Sequence, residues 1–138
     1  MPHSLRRFLL ARARAVMARR APDFEIGPAG DPYMQRWWLL PRNRAFNVYL
    51  HRMLHDDDDR ALHDHPWPSL SLMLDGRIIE HFSTDPADGG WLECRWLLAG
   101  DVVWRPARFA HRLVIPSPPA ITVFITGPRL REWGFWCP

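Results

Sequence analysis

The sequence contains no lysine, and all 18 of its basic residues are arginines. This absence excludes a Schiff-base lysine and the lysine of a phosphate-binding P-loop. Six of the arginines lie in residues 1–20, which hold no acidic residue, so the rest of the chain is slightly acidic. The high isoelectric point therefore belongs to the N-terminal arm, and we expect no nucleic-acid partner.

Cysteine is scarce and long apolar runs are absent. The two cysteines, Cys94 and Cys137, form no CxxC motif. A disulfide framework is therefore not expected, and a reducing compartment, the cytoplasm, is the predicted location. No segment approaches the roughly 20 uncharged apolar residues of a membrane span, so we predict no transmembrane segment. The apolar stretch at residues 8–11 is too short for a signal peptide.

A chain of 138 residues predicts one domain, here preceded by a helix. Residues 1–21 are the predicted basic amphipathic helix, because apolar residues recur at helical spacing. These are Leu5, Phe8, Leu9, Ala13, Val16 and Met17. We expect the helix to pack on the domain or on a second subunit; a membrane-surface helix or a transit-like segment is the alternative. Residues 22–35, with three prolines and two glycines, are the predicted linker, and residues 36–138 form the predicted β-barrel domain.

From residue 36 onward, short strand-like segments alternate with proline- and glycine-rich breaks such as DG, TDPADGG and PSPP. This alternation of short strands and breaks predicts a β-sandwich, jelly roll or barrel. The predicted strands are 36–40, 45–54, 62–65, 69–74, 77–83, 91–97, 101–105, 110–115, 120–126 and 131–136.

Three of the seven histidines stand out as candidate ligands. His63 and His65 are separated by one residue, so in a β-strand their side chains share one face and Asp64 points the opposite way. Two imidazoles on one face are half of a metal site or two unrelated polar contacts. His111 follows 46 residues after His65, so only the fold can bring it close.

The spacing of these histidines resembles the two motifs of the cupin superfamily of small jelly-roll metalloproteins. One motif is HxH, three or four residues, Glu, six residues and Gly; the other is Gly, five residues, Pro-x-Gly, two residues, His, three residues and Asn. The matching residues are His63, His65, Gly76, Gly100, Pro106 and His111. The resemblance implies an all-β, cupin-like jelly roll (double-stranded β-helix) with an N-terminal α-helix, and a metal held by the three histidines.

The chain departs from the family pattern at three positions. Ser69 stands at the position of the motif glutamate, Arg108 at the second glycine and Ile115 at the asparagine. The three-His-one-Glu site of the family is therefore incomplete. By resemblance a three-histidine site remains viable, because some cupin dioxygenases acting on thiols or diketones hold ferrous iron without the glutamate. Other cupins have lost the metal and isomerise carbohydrates or bind ligands.

Glu80 is a candidate for the missing carboxylate. If Asp75 and Gly76 form a two-residue hairpin turn, Leu74 faces Arg77 and the pairing continues until Ser71 faces Glu80. Ser71 shares the inward face of Ser69, so Glu80 is expected to point inward as a ligand, an orienting partner or a general base. A salt bridge to Arg77 or Arg52 is the alternative. By the same parity His81 faces outward.

Tyr49 and His51 complete the candidate catalytic residues, with Glu80. They share one face of a predicted strand, while Leu50 lies on the other face, which is by default the core face. The interior of a ligand-binding jelly roll is polar near a metal, so both are pocket candidates. Residues near the barrel mouth, Trp67, Trp104, Arg105 and Arg108, suit a small anionic or aromatic substrate.

A rival motif begins at His55. The residues His55-x-Asp57, followed by His111, resemble the facial triad of 2-oxoglutarate oxygenases. HxD arises easily at the start of the four-aspartate run, which is itself expected to be a solvated loop. No arginine that would bind 2-oxoglutarate follows His111 at the usual short distance.

The sequence thus predicts a metal-binding cupin that takes a small-molecule ligand or substrate. The cofactor is a divalent metal ion, Fe, Zn, Ni or Cu, because affinity alone does not choose among them. The first hypothesis is an Fe(II)-type, three-histidine dioxygenase. The alternatives are a non-catalytic ligand- or metal-sensing module and a metal-free, sugar isomerase-like cupin. A homodimer is expected, because the helix stripe and the aromatic tail at residues 133–136 offer surfaces that a lone domain does not cover.

Overall fold

The structure is a computed structural model, and it describes residues 1–57, 61–83 and 92–136. In these ranges one helix precedes eleven strands. Their bounds are α1 (His3–Arg19), β1 (Phe24–Ile26), β2 (Met34–Trp38), β3 (Asn47–Met53), β4 (Leu62–Asp64), β5 (Ser69–Asp75), β6 (Arg77–Ser83), β7 (Glu93–Leu98), β8 (Val102–Arg105), β9 (Ala110–Val114), β10 (Ala120–Thr126) and β11 (Gly134–Trp136).

The strands form two sheets of antiparallel pairs. The six-stranded sheet has the order β1-β2-β3-β10-β5-β8, and the five-stranded sheet has the order β11-β4-β9-β6-β7. Some neighbours are consecutive in the chain, such as β6 and β7, whereas others come from distant parts of it, as β10 does between β3 and β5. The predicted all-β jelly roll with an N-terminal helix is confirmed.

The helix packs against the outer face of the six-stranded sheet. Ala13 is buried there in one cluster with Trp37, Leu50 and Leu74, and the helix residues around it pack against that cluster. Leu50 is fully buried, because α1 covers the face of β3 that would otherwise be exposed. The predicted apolar stripe therefore docks on its own domain, although Phe8 remains 62% exposed.

The segment between helix and barrel contributes to the sheet. Strand β1 lies within the predicted linker at residues 22–35. It pairs with β2 in antiparallel register, with Phe24 opposite Arg36 and Ile26 opposite Met34. The boundaries of the domain at residues 21 and 35 remain a prediction. The predicted strand at 91–97 appears as β7, and residues 84–91 lie outside the described part of the chain.

The predicted hairpin at Asp75 and Gly76 is wrong. The strands on either side, β5 and β6, belong to different sheets, so the chain crosses from one sheet to the other at Gly76. Gly76 has φ of +76°, and a Cβ there would lie 2.8 Å from the carbonyl oxygen of Pro119. Glu80 consequently pairs in the five-stranded sheet with Arg95 and Leu113, and its expected register opposite Ser71 does not occur.

The barrel interior has an aliphatic end and a histidine end. The aliphatic end is the buried cluster of Met34, Met53, Met73, Ile78, Leu97, Val103, Ile115 and Ala120. For six of these residues, the neighbouring inward position on the same strand, two residues away, is occupied by a polar residue. The pairs are Met34 and Arg36, Met53 and His51, Met73 and Ser71, Ile78 and Glu80, Val103 and Arg105, and Ala120 and Thr122. The histidine end consists of these polar residues with His63, His65 and His111, and it holds the candidate site.

Candidate metal centre

The five-stranded sheet brings the three predicted ligands together. His63 on β4 lies opposite His111 on β9, and His65 follows β4 directly. The ring centroids are 5.2 Å apart for His63 and His65 and 5.1 Å apart for each of the other two pairs. One ring nitrogen of each histidine lies within 4.8 Å of the others. The fold thus closes the 46-residue gap between the two motifs.

Glu80 orients His111 and does not belong to the histidine triangle. Its Oε1 lies 2.6 Å from Nδ1 of His111 and accepts a hydrogen bond of 2.5 Å from Nε of Arg105. Arg95 donates to Oε2 at 2.7 Å, and Arg105 also donates to the hydroxyl of Ser71 at 2.7 Å. Glu80 is fully buried, so the expectation that it points inward is confirmed, although the hairpin register behind it is wrong.

The ionisation of this network assigns the tautomer of His111. Burial by itself raises the pKa of Glu80, but the hydrogen bond from His111 and the charge of Arg105 outweigh it and lower the pKa to about 2. The carboxylate is therefore charged and acts only as an acceptor. Nδ1 of His111 must carry the proton, which leaves the Nε2 lone pair free for the centre of the cluster.

Two of the three imidazoles, those of His65 and His111, are held in the neutral form that metal ligation needs. Burial lowers the pKa of His111 to about 4, against the opposing effect of Glu80. Burial, followed by the charges of His111 and His63, lowers the pKa of His65 well below its ordinary value. At neutral pH both rings therefore present unprotonated nitrogen.

The donor set fits a divalent transition metal. Nε2 of His65 lies 3.0 Å from Nε2 of His111, so two ligand atoms already face each other. Nδ1 of His63 and Nδ1 of His65 are buried without a hydrogen-bond partner among the described residues. Three imidazole nitrogens suit Fe, Zn, Ni or Cu. His63, His65 and His111 are the residues that would hold the ion.

A cavity of about 440 Å³ opens from the histidine triangle. Aromatic and aliphatic side chains form most of its wall, and polar side chains from both sheets form the rest. The apolar wall includes Phe24, Ile26, Tyr33, Met34, Met53, Leu113, Phe124, Trp133 and Phe135. The polar wall consists of Arg36, His51, Asp57, Ser71, Arg105 and the three histidines. Such a pocket is of the size and kind that takes a small molecule.

His51 and Tyr49 are both buried, but they line different spaces. His51 lines the cavity, and its Nε2 accepts a hydrogen bond of 2.9 Å from Nε of Arg36. Burial and the nearby charge of Arg36 lower the pKa of His51 well below its ordinary value. Tyr49 lines a neighbouring groove instead, and its ring stacks 6.0 Å from that of His51.

Several other expected site residues lie away from the histidines. His55 is exposed and its Nε2 lies 3.0 Å from a carboxylate oxygen of Asp31, so the rival His55-x-Asp57 motif does not assemble with His111. Trp104 is 62% exposed on β8, and Arg108 is exposed beyond the end of that strand. Of the four mouth residues, Arg105 lines the cavity and Trp67 lines the neighbouring groove.

The structure also reveals residues that the sequence patterns missed. Asp64, expected only to point away from His63, is fully buried and accepts hydrogen bonds from Arg131, from the backbone N–H of Gly134 at 2.9 Å and from the indole of Trp136. This carboxylate ties β11 to β4 beside the histidines. Arg36 and Arg95 were missed as well, since no local motif marks their partners. The alternation of residues on β4 was the one signal for Asp64.

The helix in the described residues is not both long and apolar enough to cross a bilayer. No protein-family model matches the chain. No curated protein matches it either.

Solved structures do resemble it. An uncharacterized protein with a double-stranded β-helix domain from Klebsiella pneumoniae has a TM-score of 0.57 and 18% identity, over 84% of this chain and 93% of that one. KdgF from Halomonas sp. has a TM-score of 0.56 and 17% identity, over 80% of this chain and 96% of that one.

Two larger proteins match over part of their length. A structure of Fe(II)-HppE with an alternative substrate has a TM-score of 0.60 and 14% identity over 78% of this chain, which spans 56% of HppE. The DMSP lyase DddQ from Ruegeria pomeroyi has a TM-score of 0.57 and 15% identity over 84% of this chain, which spans 58% of DddQ. Together with the sheet order, these likenesses show that the chain has the double-stranded β-helix fold of the cupin superfamily.

Proposed function

We propose that the protein is a metal-binding cupin that acts as an Fe(II)-type, three-histidine dioxygenase on a small molecule. The observation that carries this proposal is the convergence of His63, His65 and His111 in the wall of a cavity of about 440 Å³. A divalent ion held by three histidines keeps open positions and supplies Lewis acidity or, for iron, redox chemistry towards O₂.

Several residues in and beside the cavity have a proposed task. Glu80 holds the proton on Nδ1 of His111 and so keeps Nε2 of His111 as a ligand atom. Because Nε2 of His51 accepts from Arg36, the proton of neutral His51 lies on Nδ1, where it is available to a bound substrate. Phe124 and Trp133 exclude water from the same space. Tyr49 acts on the substrate only if the substrate extends into the neighbouring groove.

The fold itself does not choose the reaction. Solved structures with this fold include Fe(II)-HppE, the lyase DddQ and oxalate decarboxylase from Bacillus subtilis. Among the residues that the structure describes, no carboxylate joins the histidine triangle, which favours chemistry at a plain three-histidine centre.

The test is metal analysis of the purified protein, followed by O₂ uptake of the iron-loaded form with small thiols, diketones and phenols. We expect one metal ion per chain and uptake with at least one substrate class. Metal binding without O₂ uptake or any turnover would contradict the dioxygenase proposal and support a non-catalytic metal-sensing module. The matched variant is His63→Ala, which keeps the cavity and removes one ligand.

A metal-free ligand-binding cupin, including a sugar isomerase-like one, is the second candidate. It is favoured by the 3.0 Å contact between the Nε2 atoms of His65 and His111, which a proton alone can bridge. This candidate predicts that neither Fe(II), Zn(II) nor Co(II) raises the melting temperature, whereas a bound metal raises it by mass action.

We also propose a homodimer, but through surfaces other than those expected. Most of the helix stripe packs on its own sheet, and the tail strand β11 pairs with β4. Exposed apolar side chains remain on two of the four edge strands, β7 and β8, namely Trp96, Leu98, Val102 and Trp104. Open edges with apolar side chains invite a second copy. Light scattering at rising concentration tests this, and the cytoplasmic location stays a prediction.

A further inference from the structure

A second cavity, a groove of about 570 Å³, adjoins the metal cavity. The two share Phe24 and Arg36 in their walls, so a ligand of moderate length can occupy both. The groove is lined by arginines, aromatic rings and amides, with no acidic residue in its described wall. Its lining residues are Phe24, Arg36, Trp38, Arg42, Asn43, Arg44, Asn47, Tyr49, Trp67, Gly127 and Arg129.

Three of the four arginines in this groove have no acidic partner within the described residues. Arg129 pairs with Glu132, but no ion pair there includes Arg36, Arg42 or Arg44. This differs from the other arginine of the cavity wall, Arg105, whose charge is met by Glu80 at 2.5 Å. The groove therefore concentrates positive charge that the protein itself leaves uncompensated.

Arg36 is the half-buried member at the junction of the two cavities. Its Nε is held by His51 and its guanidinium lies 4.8 Å from the ring centroid of Tyr49. The guanidinium of Arg42 lies over Trp38 in the same way, at 5.4 Å. A guanidinium stacked on a ring keeps its N–H edge free for an oxyanion.

The electrostatics of Arg36 agree with this arrangement. Burial lowers the pKa of Arg36, the nearby tyrosines oppose that effect, and the charge of Arg42 lowers the pKa further. Two guanidinium groups close enough to repel, in a partly desolvated groove, are stabilised when an anion binds between them.

We propose that this groove is a subsite for the phosphate monoester group of the substrate, with Arg36, Arg42 and Arg44 as its cationic residues. A dianion matches three unpaired arginines better than a single carboxylate does. The ring walls of Trp38 and Tyr49 suit a flat group between the phosphate and the metal. This subsite deepens the proposed function and rests on it, because the other end of the substrate is placed at the histidines.

The experiment titrates the Co(II)-loaded full chain with phenyl phosphate, benzoate and benzyl alcohol by calorimetry. We expect phenyl phosphate to bind at least about tenfold more tightly than benzoate, and benzyl alcohol to bind only weakly. Arg36→Gln should weaken phenyl phosphate binding at least about tenfold, which corresponds to about 1.4 kcal/mol. Equal binding of the three probes would overturn the proposal.

Two further variants keep the result interpretable. Arg42 is exposed, so Arg42→Gln should fold normally and still weaken phenyl phosphate binding several-fold. Arg12 is exposed on α1 and outside the groove, so Arg12→Gln should bind like the wild type. Loss of binding in Arg12→Gln as large as in Arg42→Gln would show a nonspecific charge effect and overturn the subsite.

A Co(II) titration without phosphate separates this proposal from the proposed function. Co(II) bound by the wild type and not by His63→Ala, together with no phenyl phosphate binding, overturns the subsite alone. Phenyl phosphate binding that depends on Arg36 in a protein that never binds Co(II) overturns the metal function and retains the anion site.

Discussion

The two ends of the barrel interior are built from the same strands and differ in almost every inward side chain. At the aliphatic end Met34, Met53 and Met73 pack in one buried hydrophobic cluster. At the histidine end the next inward residues are Arg36, His51 and Ser71. The aliphatic end stabilises the fold by burying apolar area. The histidine end buries polar groups, which lowers the stability unless each of them has a hydrogen-bond or charge partner.

The histidine end compensates its charges unevenly. Around Glu80 every charge has a partner, because Arg95, Arg105 and His111 surround one carboxylate. Around Arg36 the positive charge is left open. Under the two proposals above, the first group supports His111 structurally, whereas the second binds an anionic ligand.

Replacement of Glu80 with Gln should have the largest effect. Arg105, 2% exposed, would lose its counter-charge, which typically costs about 3–5 kcal/mol of the free energy of unfolding. Metal affinity should also fall by about 10–100-fold, since His111 loses its orienting partner. Urea unfolding and Co(II) titration measure the two effects. His81→Gln, on the outward position of the same strand, is the control; equal losses in both variants would contradict the assignment of Glu80.

At the aliphatic end, Met73→Ala should lower the free energy of unfolding by about 2–5 kcal/mol, because the fully buried side chain leaves a cavity. Metal affinity measured well below the melting temperature should not change. Leu130→Ala, at a position 66% exposed, should cost far less. A large loss of metal affinity in Met73→Ala would mean that the two ends are not separable.

The third prediction concerns the ligands themselves. His63→Ala should lower metal affinity by at least about 100-fold, the upper end of what loss of an orienting partner causes. Stability without metal should change little, because Nδ1 of His63 has no hydrogen-bond partner to lose. His55→Ala, which removes the exposed histidine of the rival motif, should bind metal like the wild type. The reverse pattern would support the facial triad.

The smallest effect is expected from the pH dependence of His51. The pKa of His51 is lowered from 6.5 in the folded protein by burial and by Arg36, so the unfolded chain binds the proton first. Stability therefore falls as the pH drops below 6.5. Between pH 6.5 and 5.5, the titration of His51 lowers the free energy of unfolding by about 1 kcal/mol. Urea unfolding at both pH values should show a smaller drop for His51→Gln than for the wild type; equal drops would place the titration elsewhere.

The sequence by itself determined the fold class and the three histidines. Punctuated short strands, the HxH pair and the spacing from Gly100 to His111 are local signals, and the fold agrees with each of them. The inward direction of Glu80 was inferred from a hairpin register that does not occur. Strand alternation by itself gives only that Glu80 and His81 point to opposite faces of their strand.

Only the tertiary structure decided which strands are neighbours. The pairing partner of β6 changed from β5 to β7 and β9, because the tight packing at Gly76 sends the chain into the other sheet. The roles of Arg36, Arg95 and Arg105 depend on contacts 15 to 25 residues away in the chain. No pattern within one strand encodes such contacts, because a charged side chain is fitted to the charges that the other strands bring to it.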